Sequence, residues 1–135
     1  MTRIVVIDDE EDIRSVLKVI LERAGFEVEV AANSDDGLNL LRDQKADVVI
    51  TDIIMPGKDG VDNIYDIRME FPNTRIIVIS GGGNVAPSDY EPTAIKTSAY
   101  LASASSAGAD LTLTKPFDRN ELIDAVTKLS ERSDK

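Results

Sequence analysis

The chain contains no cysteine and no histidine. The first absence removes thiolate nucleophiles, disulfides and thiolate zinc sites, and the second removes Ser-His-Asp catalysis and any phosphohistidine carried on this chain. Also missing is an apolar segment long enough to cross a bilayer, and the amino terminus runs directly into "RIVVI" without the apolar core of a secretory signal. A cytoplasmic protein is the expectation. Positive charge is in the minority: 15 Lys and Arg against 25 Asp and Glu leave a formal net charge of -10, which repels nucleic-acid phosphates and anionic membrane surfaces. Neither nucleic acid nor membrane is expected as a partner. What remains for chemistry is carboxylates, hydroxyls, lysines and backbone. With 135 residues there is room for one domain and one core, expected over residues 1–130, with a polar tail at 131–135.

Short apolar runs alternate with helical patterns. "RIVVI" (3–7), "FEVEV" (26–30), "ADVVIT" (46–51), "RIIVIS" (75–80) and "DLTLT" (110–114) read as strands. Between them, Ile13, Val16, Leu17, Ile20, Leu21 and Ala24 recur at helical spacing, with Gly25 as a stop. Ser34 is placed to cap a second helix carrying Leu38 and Leu41. A third helix is lined by Val61, Ile64, Ile67 and Phe71 and ends before Pro72. Asp118 and Glu121 resemble a capping box opening a last helix through Leu122, Val126 and Leu129.

Strand-helix alternation with short connections implies parallel strands joined by right-handed crossovers, with helices on both faces of the sheet. The first, third and fourth runs are apolar at nearly every position, as strands buried on both faces must be; the second and fifth alternate apolar with polar, as edges do. The expected fold is therefore α/β: a flavodoxin-like, doubly wound, five-stranded parallel sheet in the order 2-1-3-4-5.

In such a sheet ligands bind outside the carboxyl ends of the strands. The run "VVITD" delivers Asp52 to that rim, and "VVIDDEED" delivers Asp8 and Asp9 from the neighbouring strand. Ser80 ends the fourth run and Lys115 follows the fifth. Singly, these residues read as ordinary features: an aspartate at a helix start caps it, one after a strand forms a turn, and a lone lysine is solvated. Collectively they place three acids, a hydroxyl and an ammonium at the ends of four different strands. Three crowded carboxylates need a counter-charge, and a hard divalent cation with a preference for oxygen, Mg2+ above all, suits them.

The set "IVVIDDEEDIR", "DIIMPGKDG", "VIS" and "TKPF" resembles the receiver domain of two-component response regulators, over essentially the whole chain. The resemblance implies that Asp52 accepts a phosphoryl group from a histidine kinase or phosphotransfer protein. It further implies that Mg2+ is held by Asp8, Asp9, Asp52 and the carbonyl of Ile54, and that Ser80 and Lys115 bind phosphoryl oxygens. A cis Lys115-Pro116 bond that turns the lysine inward follows from the same resemblance. The protein would then be a phosphoacceptor signalling domain and not an enzyme with a separate substrate. Its downstream target would be another protein, and a phosphorylation-linked homodimer stays open.

Two features depart from that family's pattern. Thr112 stands three positions before the lysine, where members usually carry the aromatic that swings inward on activation. Ser80 and Lys115 are 35 positions apart, roughly a dozen more than is common, so the excess enlarges the segment 81–107. Gly81, Gly82 and Gly83 read as a hinge; they lack the lysine and spacing of a phosphate-cradling loop. Tyr90 and Tyr100 are candidates to replace the missing aromatic. Ile54 and Gly82 occupy positions that tune hydrolysis in that family, and neither can orient a water, which predicts a phosphorylated state of moderate to long life.

Three rival readings compete. A pseudo-receiver, regulated by contact without phosphotransfer, is the main alternative. A haloacid-dehalogenase-type hydrolase would need Asp8 and Glu10 as its nucleophile and acid, and a flavin protein would need aromatic stacking that no motif here supplies.

Overall fold

The computed structural model describes residues 2–52, 60–80, 108–114 and 118–133. Five strands, β1 (Arg3–Ile7), β2 (Glu27–Ala31), β3 (Val48–Asp52), β4 (Arg75–Ser80) and β5 (Leu111–Thr114), form one parallel sheet in the order β2-β1-β3-β4-β5. Four helices are described: α1 (Glu11–Arg23), α2 (Ser34–Asp43), α3 (Gly60–Glu70) and a C-terminal helix (Arg119–Ser133).

Every residue of β1 and β3 is buried, which explains their uninterrupted apolar texture. Alternation along the strands sends side chains to two separate cores. Ile4, Val6, Val48, Ile50, Ile77 and Ile79 pack with Leu17 and Leu21 of α1 and with Leu122, Val126 and Leu129 of the C-terminal helix. Val5, Ile7, Val49, Ile76 and Val78 pack with Leu38 and Leu41 of α2 and with Ile64 and Ile67 of α3. Fully burying each such side chain stabilises the fold by about 2 kcal/mol. Edge strand β2 keeps Glu27 and Glu29 outward, where both lie near the Arg3 guanidinium of β1, at 3.8 and 4.0 Å.

Local signals explain the helix ends. At the end of α1, Gly25 adopts φ +99°, its N–H donates to the Glu22 carbonyl, and Phe26 N–H donates to the Leu21 carbonyl, completing a Schellman motif. Asp118 Oδ1 accepts from Glu121 N–H at 2.8 Å, as a cap should. Two expectations need adjusting. Asn33, and not Ser34, caps α2: its side chain accepts from Asp36 N–H at 2.8 Å, while Ser34 is the first helical residue and is buried. Val16 is exposed, since α1 turns Leu17 and Leu21 fully into the core and leaves Val16 and Val19 on its outer side. The C-terminal helix is described through Ser133.

Candidate functional site: an acid cluster at the carboxyl rim

Asp8 follows β1 directly, and its backbone N–H donates to the Ala31 carbonyl, so pairing with the neighbouring strand persists one residue past the strand end. Its carboxylate accepts the Glu10 N–H at 2.9 Å, bending the chain into α1, and Arg14 of α1 donates to the Asp8 carbonyl oxygen at 2.7 Å. Together these bonds fix the acid pair between a central strand and the helix that follows it. Gly37 contributes from α2, where its lack of a side chain admits that helix onto Ile7, the residue before Asp8; an added Cβ would collide with the Ile7 side chain.

Asp52 ends β3, between β1 and β4, with its Cα in register with Ile79. It is buried, as is Asp8, while Asp9 is exposed. One carboxylate oxygen from each of Asp8, Asp9 and Asp52 lies within 4.8 Å of the others, so three hard donors converge on one point. Oxygen-only donors with two buried members and one open to solvent fit a hydrated divalent cation such as Mg2+, which retains several waters in its coordination shell.

The remaining predicted residues divide in two. The backbone of Ser80 ends β4 opposite Thr114, at the same rim, but its side chain lies outside the described residues. Ile54, Lys115 and Pro116 also lie outside them, as does the segment 81–107 with its glycines and tyrosines. Thr112, which replaces the expected aromatic, is described and is exposed on β5.

Arg14, Thr51 and Asn63 were not singled out from the sequence. Thr51 precedes the acidic end of β3; its hydroxyl donates to the Asp52 carbonyl oxygen at 3.2 Å and accepts from Asn63 Nδ2 of α3 at 3.1 Å. One signal was available for Asn63, a carboxamide beside the apolar stripe Ile64 and Ile67 of its helix. Arg14 carried no such signal, because a basic residue in a first helical turn ordinarily faces water.

The family model of the response regulator receiver domain matches residues 4–127. The chemotaxis protein CheY of Thermotoga maritima is 32% identical over 130 residues, covering 96% of this chain and 98% of that protein. The DNA-binding transcriptional regulator NtrC of Azospirillum brasilense is 36% identical over 125 residues, covering 93% of this chain; the present chain spans only 23% of that regulator's length. Among solved structures, the response regulator protein TrrA of Thermotoga maritima, in complex with Mg2+-BeF, superposes with a TM-score of 0.76 at 33% identity, covering 96% of this chain and 99% of that one. Sheet order, acid rim and matched span agree: the chain belongs to the response regulator receiver domain family of two-component systems.

Proposed function

We propose that this receiver accepts a phosphoryl group on Asp52 from a histidine kinase or phosphotransfer protein and passes the signal to a partner protein through a changed surface. One observation carries the reading: Asp52 stands at the end of a central strand with its carboxylate converging on those of Asp8 and Asp9. Asp8, Asp9, Asp52 and the Ile54 carbonyl would hold Mg2+, which would supply positive charge to balance that of the transferring group.

The chain's own residues then have distinct tasks. A carboxylate oxygen of Asp52 attacks phosphorus in line with the donor; the new P–O bond forms as the P–N bond to the donor imidazole breaks, and that bond's electron pair leaves on the imidazole nitrogen. Lys115 holds one phosphoryl oxygen by charge, and Ser80 donates its hydroxyl to another. No proton transfer to Asp52 is required, which agrees with a site made without histidine. The added charge draws Ser80 and the following segment toward the acceptor, and the surface around β5 and the C-terminal helix changes with it. The complex of TrrA with Mg2+-BeF gives independent support, because beryllofluoride mimics an aspartyl phosphate. Placement in the cytoplasm agrees with the described helices, none of which is long and apolar enough to cross a membrane.

A pseudo-receiver acting by contact alone draws support from Thr112, exposed on β5 where an aromatic switch is expected. Intact mass after incubation with Mg2+ and acetyl phosphate separates the readings. Phosphotransfer requires an adduct on the wild type that is absent without Mg2+ and absent from Asp52→Asn. If the wild type acquires no adduct and binds no beryllofluoride, the pseudo-receiver reading replaces it.

A further inference from the structure

Thr51 and Asn63 form a polar pair inside the otherwise apolar layer between the sheet and α3. Both are fully buried, and Thr51 lies in register with Ile7 on one side and Val78 on the other. Apolar residues of similar size, valine at 51 and leucine at 63, would fill this space without any polar group to satisfy. Among the described residues, Asn63 Oδ1 has no hydrogen-bond partner, so the amide is retained at a position where packing alone would not select it.

What the pair has is direction. The Asp52 carbonyl oxygen can only accept, so the hydroxyl of Thr51, 3.2 Å away, must give it its single proton. The Thr51 oxygen can then only accept from Asn63, which orients the carboxamide with Nδ2 toward it at 3.1 Å. Three groups in series run from α3 to the carbonyl of the Asp52–Ile53 peptide, at the point where the β3 ladder stops holding the chain.

We infer that Asn63 is a positioning residue for the acceptor: acting through the Thr51 hydroxyl, it orients the peptide leaving Asp52 and so sets how the Asp52 carboxylate meets those of Asp8 and Asp9. The inference rests on Asp52 as the acceptor and names α3 as the element that aligns it. Partners of this indirect kind typically alter metal affinity by tenfold or more when removed.

The test compares Asn63→Leu, Thr51→Val and Thr51→Ser by calorimetric Mg2+ titration and by urea unfolding without Mg2+. Asn63→Leu is expected to weaken Mg2+ binding about tenfold while the urea midpoint is kept or raised, and Thr51→Val to weaken it as much while lowering the midpoint, because it leaves the buried Asn63 amide without its acceptor. Thr51→Ser retains the hydroxyl and is expected to stay within about twofold of wild type. A part in packing alone would move the midpoint and leave Mg2+ affinity in place. Wild-type affinity in both Asn63→Leu and Thr51→Val overturns the inference, as does a Thr51→Ser protein impaired as much as Thr51→Val. Should Asn63→Leu fail to fold, the Thr51 pair of variants decides alone. Acetyl phosphate labelling of the wild type beside Asp52→Asn runs in parallel: a wild type that binds Mg2+ but takes no phosphoryl group refutes the acceptor reading, and the Mg2+ comparison is still read separately.

Discussion

The two ends of the sheet treat charge in opposite ways. At the amino ends of the strands, each described acid meets a cation or a backbone donor. Asp47 accepts from Arg3 N–H at 2.9 Å. Asp110 accepts from Ile76 N–H at 2.8 Å and from the Arg68 guanidinium at 2.7 Å, with Arg75 at 3.6 Å. Arg68 also donates to the carbonyls of Pro72, Thr74 and Gly108, joining the end of α3 to the starts of β4 and β5. At the carboxyl ends, Asp8, which also accepts the Glu10 N–H, is gathered with Asp9 and Asp52. One end is tied together by these bonds, and the other brings three carboxylates within 4.8 Å of one another. A parallel sheet makes this division natural, since its strand starts and strand ends face opposite ways and need not share residues.

The largest effect is expected where the tied end is opened. Asp110→Ala removes the acceptor for both Ile76 N–H and Arg68, and charged hydrogen bonds of this kind are worth about 2 kcal/mol, so urea unfolding should show a loss of that order while phosphoryl uptake below the transition is retained. Arg68→Ala should cost a similar amount, and the double variant clearly less than the sum, because both changes break one network. Were Asp110→Ala to abolish uptake in the folded protein, the division between the ends would fail.

A smaller effect of opposite sign is expected at the rim. Asp8→Asn keeps an oxygen for the Glu10 N–H and removes one of three crowded charges. Without Mg2+ it should be as stable as wild type or more so, by up to about 1 kcal/mol. Mg2+ at ten times its dissociation constant should stabilise the wild type by about 1.4 kcal/mol, and thermal melts should show that gain reduced in the variant.

The smallest effect belongs to the exposed pair that ties α2 to α3. Arg42 Nη2 donates to Glu70 Oε1 at 2.8 Å, and this hydrogen bond holds the Glu70 carboxyl below its ordinary range. A depressed carboxyl contributes stability above its unfolded-state value and loses it as pH falls through the folded-state value. The difference between wild type and Glu70→Gln should therefore be slight at neutral pH and vanish in acid, as paired urea titrations would reveal.

How much of this was legible in the sequence follows from the range of each interaction. Strand order was legible because burial on two faces forces "RIVVI" and "RIIVIS" to be apolar throughout, while an edge allows the alternation of "EVEV". The acid cluster was legible because its members end the first and third apolar runs, and topology makes those two strands neighbours. The roll of α1 was not: a helical stripe marks a face, but whether Val16 falls inside its margin depends on how the helix seats on the sheet. Asn33 and Ser34 are both good caps in sequence, and only backbone geometry at the first turn chose Asn33. The bond from Arg68 to Asp110 spans 42 positions, and that from Asn63 to Thr51 joins a helix to a strand through tertiary packing. Neither has a local signature.

The most direct test of the division is urea unfolding of wild type, Asp52→Asn and Asp110→Ala, each with and without Mg2+. The account predicts that Asp52→Asn matches or exceeds the wild type without Mg2+ and gains little from adding it, whereas Asp110→Ala is less stable yet gains as much from Mg2+ as the wild type does. An Asp52→Asn protein clearly destabilised without Mg2+, or one that gains as much from the ion as wild type, would contradict it.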